Sequence, residues 1–390
     1  MTLLLRVLAC ATVALAPLEG YLLAAHGQLA KIAPALLAAV WVAARVRERR
    51  MPAPHPVHAV LGLFAVVLLA STALHAGGPY AVDYLQRWLP FLVVTVVLVD
   101  VAAREVPIRA LLGSIVAGAA VAALGALHSM VAEGETRATG PLEDPNDLAY
   151  FLVAALPLLV ALLDPRGSRL RSAGLALTGL VLAAGAAATF SRGGALALTA
   201  AVTWLVARRA LPVRAVVGGM AALAALGVGV VLLAGPTLDR ALQEKSHIAG
   251  TNVDTRELRW QAAARMVAGH PVLGVGPGGF RDGYAAASHN AEVDEQTPVA
   301  HNMYLEVAAE LGLAGFGLFV GLPAVAAVGS ERVLRSGERR PMAAVQASLI
   351  AVAVASTFLS QQYYLPLWSL VAVVAAADLR RRGTGCVCST

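Results

Sequence analysis

The sequence predicts an all-α polytopic membrane protein of about twelve transmembrane helices with one large polar loop. Three observations predict it. Of 390 residues, 58% are hydrophobic and 14% charged, and mean hydropathy is +0.71. Soluble domains run at about 45–50% apolar and about 25% charged. The apolar stretches are continuous rather than alternating, which selects helices over barrel strands. The basic residues fall in short loops at every second exit, the positive-inside pattern.

In order, apolar runs lie near 3–18, 29–45, 57–75, 88–103, 109–131, 147–163, 172–189, 194–207, 215–234, 303–329, 342–360 and 363–378. Arg45, Arg47, Arg49 and Arg50 follow the second run, and Arg104 and Arg109 the fourth. Arg166, Arg169 and Arg171 follow the sixth, and Arg208, Arg209 and Arg214 the eighth. Arg332, Arg335, Arg339 and Arg340 follow the tenth, and Arg380 to Arg382 the twelfth. Both termini are therefore expected in the cytoplasm, and the long polar stretch 235–300 on the outer, periplasmic face. The first run has features of a signal peptide, with Arg6 and Ala14-Leu15-Ala16, but Pro17 after the cut site favours a retained helix.

The expected organisation is one integrated membrane domain. Residues 1–234 form nine helices, 235–300 the outer loop with an amphipathic helix, and 301–390 three more helices and a cytoplasmic tail. Within the loop, 255–268 place Leu258, Ala262 and Met266 on one helical face, with Trp260 expected at the membrane interface. The net charge of +6 sits in the inner loops and carries no basic patch with interleaved aromatics, so a nucleic-acid partner is excluded. All cations but Lys31 and Lys245 are arginine, so any anion site must be arginine-built. Cys10, Cys386 and Cys388 form no disulfide framework, and no internal repeat runs along the chain.

Four outward-facing arginines stand out against the charge rule. Arg192 lies in the break Thr189-Phe190-Ser191-Arg192-Gly193-Gly194, where a turn residue reaching headgroups is the plainer reading. Arg256 and Arg259 share a helix face, and salt bridges to Asp254 or Glu257 would account for either. Arg87 sits at the mouth of the fourth run, where lipid phosphate would suffice to explain it. His301 opens the tenth run. A helix start disfavours the imidazolium and leaves the neutral ring that a general base needs. His270 and His289 are weaker candidates. Gly274-x-Gly276-x-x-Gly279 matches a dinucleotide fingerprint but has no strand before it, so the glycines are expected to wall a loop. Glu143, Asp144 and Asp147 lack metal-loop spacing, and Pro145-Asn146 reads as a turn, so neither metal nor cofactor is expected. Arginines on an outer face hold phosphates in bidentate fashion. With a base beside them, the chemistry is group transfer from a lipid phosphate.

These residues also carry a resemblance. Arg256-x-x-x-Trp260, His270-Pro-Val-Leu-Gly274-Val-Gly276-Pro-Gly278-Gly-Phe280, His301-Asn302-x-Tyr304-Leu305-Glu306 and Glu310-x-Gly312-Leu313-x-Gly315 resemble the O-antigen ligase and polymerase family. Ser191-Arg192-Gly193-Gly194 and Gly140-Pro-Leu-Glu-Asp-Pro145-Asn146-Asp-Leu-Ala149 fit as well, and the core of the match spans about residues 185–320. The resemblance implies a metal-independent glycosyltransferase of the GT-C type in the inner membrane. It would move a glycan from undecaprenyl diphosphate to an acceptor on the periplasmic side, either lipid A-core or a growing glycan. His301 would then be the base, Arg192 and Arg256 would hold the diphosphate, and Arg259 would assist. The short insert, with no soluble domain after the last span, points away from the protein O-oligosaccharyltransferase branch. Rival expectations are an O-antigen or exopolysaccharide polymerase, a relative of the peptidoglycan polymerases, and a twelve-helix transporter or flippase. The transporter would place its long loop centrally and inside, and the His301-Asn302 pair favours the ligase family over the peptidoglycan polymerases.

Overall fold

A computed structural model describes residues 1–132, 134–164, 166–292, 295–337 and 339–385, with helical backbone alone for 229–254 and 384–385. Cys386 and Cys388 lie outside these residues, as do the side chains of Lys245 and Asp254. The described chain is helical throughout and has no strand. The first five helices are α1 (Thr2–Leu15), α2 (Glu19–Ala25), α3 (Leu29–Glu48), α4 (Pro56–Leu74) and α5 (Ala81–Arg104). Then come α6 (Ile108–Ala132), α7 (Pro145–Ala155), α8 (Leu158–Leu162), α9 (Arg169–Ala188) and α10 (Arg192–Ala207). The last are α11 (Val213–Gly269), α12 (Gly279–Ala287), α13 (Met303–Arg335), α14 (Arg339–Ala355) and α15 (Leu365–Gly385).

Each of the expected apolar runs overlaps a helix. Among the described residues, eight helical stretches are long and apolar enough to cross a bilayer, and Arg192–Ala207 and Val213–Val228 are shorter apolar helices. The protein is thus a polytopic membrane protein by length and composition. The expected boundary at 234/235 does not interrupt the backbone. One helix of 57 residues, α11, runs from the ninth apolar run into the amphipathic segment.

Local chemistry sets the helix ends. Asp144, Ser168, Ser191 and Asn302 accept backbone N–H bonds at the starts of α7, α9, α10 and α13. Pro56 and Pro145 stand in first turns, where no amide is missed. The buried centre is aromatic where α4, α5, α13 and α15 meet. Trp88 lies 5.1 Å from Phe64, 5.9 Å from Phe319 and 6.1 Å from Trp368 between ring centroids. Small residues bring other helices together. A methyl group on Gly118 of α6 would meet the Ala14 carbonyl oxygen of α1 at 1.9 Å. Gly118→Ala is therefore expected to push α1 off α6 and destabilise by about 1–3 kcal/mol. A fall in the detergent-solubilised melting temperature checks this.

Polar groups collect at the two ends of the bundle. At one end, Arg45 is buried against Asp100, Glu105 at 2.7 Å and Glu48 at 3.0 Å. Arg382 and Arg381 of α15 meet buried Asp378 at 2.7 and 3.2 Å. This end gathers the arginine-rich exits. The other end gathers the remaining exits. There the loops around residues 137–146, 189–192, 270–302 and 356–364 touch one another.

Candidate functional site

His301 lies two residues before α13 in a left-handed backbone conformation, φ +48°. For a residue with a Cβ such a conformation is strained by about 1–3 kcal/mol and persists only where its surroundings over-determine it. They do so here. The Ala300 N–H donates to Glu306 Oε2 at 2.9 Å, and Trp260 Nε1 donates to the Ala300 carbonyl at 3.0 Å. Asn302 Oδ1 accepts from the amides of Tyr304 and Leu305 at 3.1 and 3.2 Å, capping α13. The Met303 amide donates to the Ser356 carbonyl at 3.0 Å. The backbone on both sides of the imidazole is thereby pinned. Trp260 gives its indole N–H to this loop.

Burial, first, and then the neighbouring Arg259 and Arg256 lower the pKa of His301 to about 4. The ring is neutral at pH 7. The direction agrees with the expectation from the helix start, but the principal cause is desolvation. Arg256 and Arg259 project from the last turns of α11, whose Ala262, Ala263 and Met266 are buried against α12 and α13. Their roles divide. Arg259 is 5% exposed and spans Glu292 at 3.0 Å and Glu295 at 2.8 Å. Its guanidinium holds the Glu292 carboxyl below the usual carboxylate range. The Tyr284 phenol, burial and a bond to Glu292 having raised its pKa to about 12, stays protonated there. Arg259, read from sequence as a donor-binding residue, is paired with the Glu292 and Glu295 carboxylates. Among the described residues Glu257 is not one of its ion-pair partners, and the Asp254 side chain lies outside them. Arg256 is half-buried and has no ion pair among the described residues. Burial lowers its pKa, and Asp144 is its nearby counter-charge.

Arg192 opens α10 directly after the capping Ser191 and is exposed. Its turn is held from two sides. Arg137 donates from Nε to the Thr189 carbonyl at 3.0 Å and from its terminal nitrogen to Asn146 Oδ1 at 3.3 Å. A methyl group on Gly193 would meet Phe358 at 3.1 Å, so the 356–364 loop presses against the arginine's own turn. That loop also reaches α7, where Gln361 and Tyr364 donate to the Asp147 carboxylate, the tyrosine at 2.9 Å. Glu143, Asp144 and Asp147 thus form a turn and cap. Asp144 accepts from the Asn146 amide at 2.7 Å, and the described residues offer no group of three or more metal-ligating side chains.

Arg87 stands apart. It is exposed and lies 4.5 Å over the Tyr84 ring, beside Arg281, which stacks at 4.5 Å on Tyr80. The glycine loop docks on α13. Gly274 and Gly312 have φ of +70° and +65°, and a Cβ on either would lie 2.3 Å from facing backbone atoms, Glu310 and Val272 respectively. Val275 and Gly276 amides bond the Ala309 and Glu310 carbonyls at 2.9 and 3.0 Å, closing the kink that Gly312 makes in α13. His270 ends α11 and is exposed.

The structure therefore brings together His301, Arg256 and Arg259, and packs the Arg192 turn against the adjoining 356–364 loop. Sequence reading missed Arg137, which the same charge count would have singled out, since it follows the fifth apolar run. Arg265 and Arg281 belong to that outward set as well. The carboxylates that neutralise Arg259 carried no sequence signal, being 33 and 36 residues away.

No curated protein matches the chain. Residues 176–320, which contain the Arg192 turn, Arg256, the glycine loop, His301 and the Gly312 kink, match the O-Antigen ligase family.

Proposed function

We propose that this protein is an O-antigen ligase-type glycosyltransferase working on a polyprenyl-diphosphate-linked glycan. A neutral, half-buried imidazole fixed by its own backbone, beside a half-buried Arg256 with no ion pair among the described residues, carries the reading. His301 takes the proton of an acceptor hydroxyl as that oxygen attacks the anomeric carbon of the donor sugar. The bond from that carbon to the diphosphate oxygen breaks, and the electron pair leaves on undecaprenyl diphosphate. Arg256 and Arg192 stabilise the growing charge by bidentate bonds to phosphate oxygens. Arg259, held by its two carboxylates, keeps their segment in place, and its cation lowers the pKa of the base. Arg87, stacked on Tyr84, contacts the glycan or the lipid headgroups at the rim.

By the arginine distribution the site faces the periplasm and both termini lie in the cytoplasm, and the family likeness supports the inner membrane. The acceptor is lipid A-core. A growing glycan, the polymerase reading, uses the same donor and base. Purified protein incubated with lipid-linked glycan from its native host membranes tests the proposal. Release of undecaprenyl diphosphate with glycan on lipid A-core is the expected product, and chain lengthening on the lipid carrier would replace ligation by polymerisation. No release of the carrier in either form would overturn both. The transfer is also expected to survive EDTA without loss. Inhibition reversed by a divalent ion would assign catalysis to the 143–147 turn instead.

A further inference from the structure

We infer that Glu306 is the positioning residue that couples the base to the phosphate-binding turn, an inference that rests on His301 acting as the base. Its carboxylate is 3% exposed and collects donors from two separate segments. From the near side, the Ala300 amide bonds Oε2 at 2.9 Å, one residue before the strained His301. From the far side, the Ser360 hydroxyl bonds the same oxygen and Gln362 Nε2 bonds Oε1 at 2.7 Å.

That second segment is the 356–364 loop. It presses Phe358 on Gly193, next to Arg192, and ties Gln361 to Asp147 of α7. Both loops therefore hang on one carboxylate, and the imidazole and the Arg192 turn keep register through it. A helix of ordinary packing does not require this arrangement. Two oxygens buried at this depth, meeting three donors from loops 54 and 56 residues ahead and 6 residues behind, act as a joint. A carboxamide sets an NH2 against the Gln362 NH2, and keeps that bond only by turning the Gln362 amide over.

The test is Glu306→Gln in the full-length protein, with Ser360→Ala as the milder companion that leaves the carboxylate and its Ala300 bond intact. Displacing a catalytic group by about 1 Å costs on the order of a hundredfold. Glu306→Gln is expected to lower kcat about tenfold to a hundredfold, with donor KM moving far less. Ser360→Ala is expected to fall between that variant and the wild type. A donor-free readout accompanies the assay. Diethyl pyrocarbonate labelling of His301, mapped by mass spectrometry, should accelerate several-fold in Glu306→Gln, with exposed His270 as the internal reference. Unchanged kcat and unchanged His301 labelling in Glu306→Gln would overturn the positioning role. Equal acceleration of every histidine, with a collapsed melting temperature in both variants, would overturn it in favour of general support of the fold. Full activity in His301→Ala is a separate outcome. It sinks the base assignment itself, whereas a fully active Glu306→Gln beside an inactive His301→Ala sinks only the coupling.

Discussion

Replacing His301 with Ala should lower the transfer rate by about a hundredfold to ten-thousandfold, the range by which a positioned general base speeds a reaction. The protein should still insert and keep its helicity. Alanine removes a side chain, while the bonds that pin the loop belong to Ala300, Asn302 and Met303. Wild-type activity in a folded His301→Ala protein would end the assignment. The pH profile gives a second reading of the same group. Because its pKa is held at about 4, the imidazole remains an available base far below its ordinary 6.5. The acid limb of kcat/KM is expected near pH 4. A limb near 6.5 would mean that the ring is hydrated. The linked stability has the opposite sign to that of a histidine gaining an anionic partner. Between pH 6.5 and about 4 the unfolded chain binds the extra proton, so stability falls as pH is lowered across that window.

Arg256→Ala is the second large effect expected. A charge-assisted hydrogen bond contributes about 1.5–3 kcal/mol, and a bond that strengthens with the departing diphosphate shows in kcat as well as in KM. The loss should be about tenfold to a hundredfold, with Lys restoring part of it and not the bidentate geometry. The variant carries an internal marker. Arg256 is one of the cations that lower the pKa of His301, so its removal should move the acid limb upward. Arg259→Ala should behave differently. It leaves Glu292 and Glu295 without their shared cation, so a lower melting temperature should accompany the loss of rate. A kcat defect in Arg259→Ala larger than that of Arg256→Ala, without loss of stability, would exchange their roles.

How much of this was legible follows from where the signal lies. The apolar runs were readable because a bilayer demands about 20 uninterrupted apolar residues per span. The short helices α10 and α14, at 16 and 17 residues, sit at the edge of that demand. The merging of the ninth run with the amphipathic segment was not readable, since Pro236 and the polar residues after it suggest a break. The break at 189–194 and the turn at Pro145-Asn146 were visible because such signals lie in a few neighbouring residues, and the structure adds that Ser191, Asp144 and Asn302 cap the helices that follow. His301 and Arg256 were visible as polar exceptions in a greasy chain. The separation of Arg256 from Arg259 was not, although both sit on one helix face. Their difference comes from Glu292, Glu295 and Asp144, brought in from other segments.

By itself, the amino-acid sequence determined that this is a helical membrane protein, with its cations sorted by loop and a set of polar residues out of place. Those are consequences of transfer free energies and helical spacing, which act locally. Only the tertiary structure decided which of those polar residues have protein partners. Among the described residues Arg259 has ion-pair partners and Arg256 has none, and Glu306 links two loops that the chain keeps more than fifty residues apart. Burial and ion pairing depend on distances through space, and a pKa of about 4 for His301 arises only once the loops have closed over it.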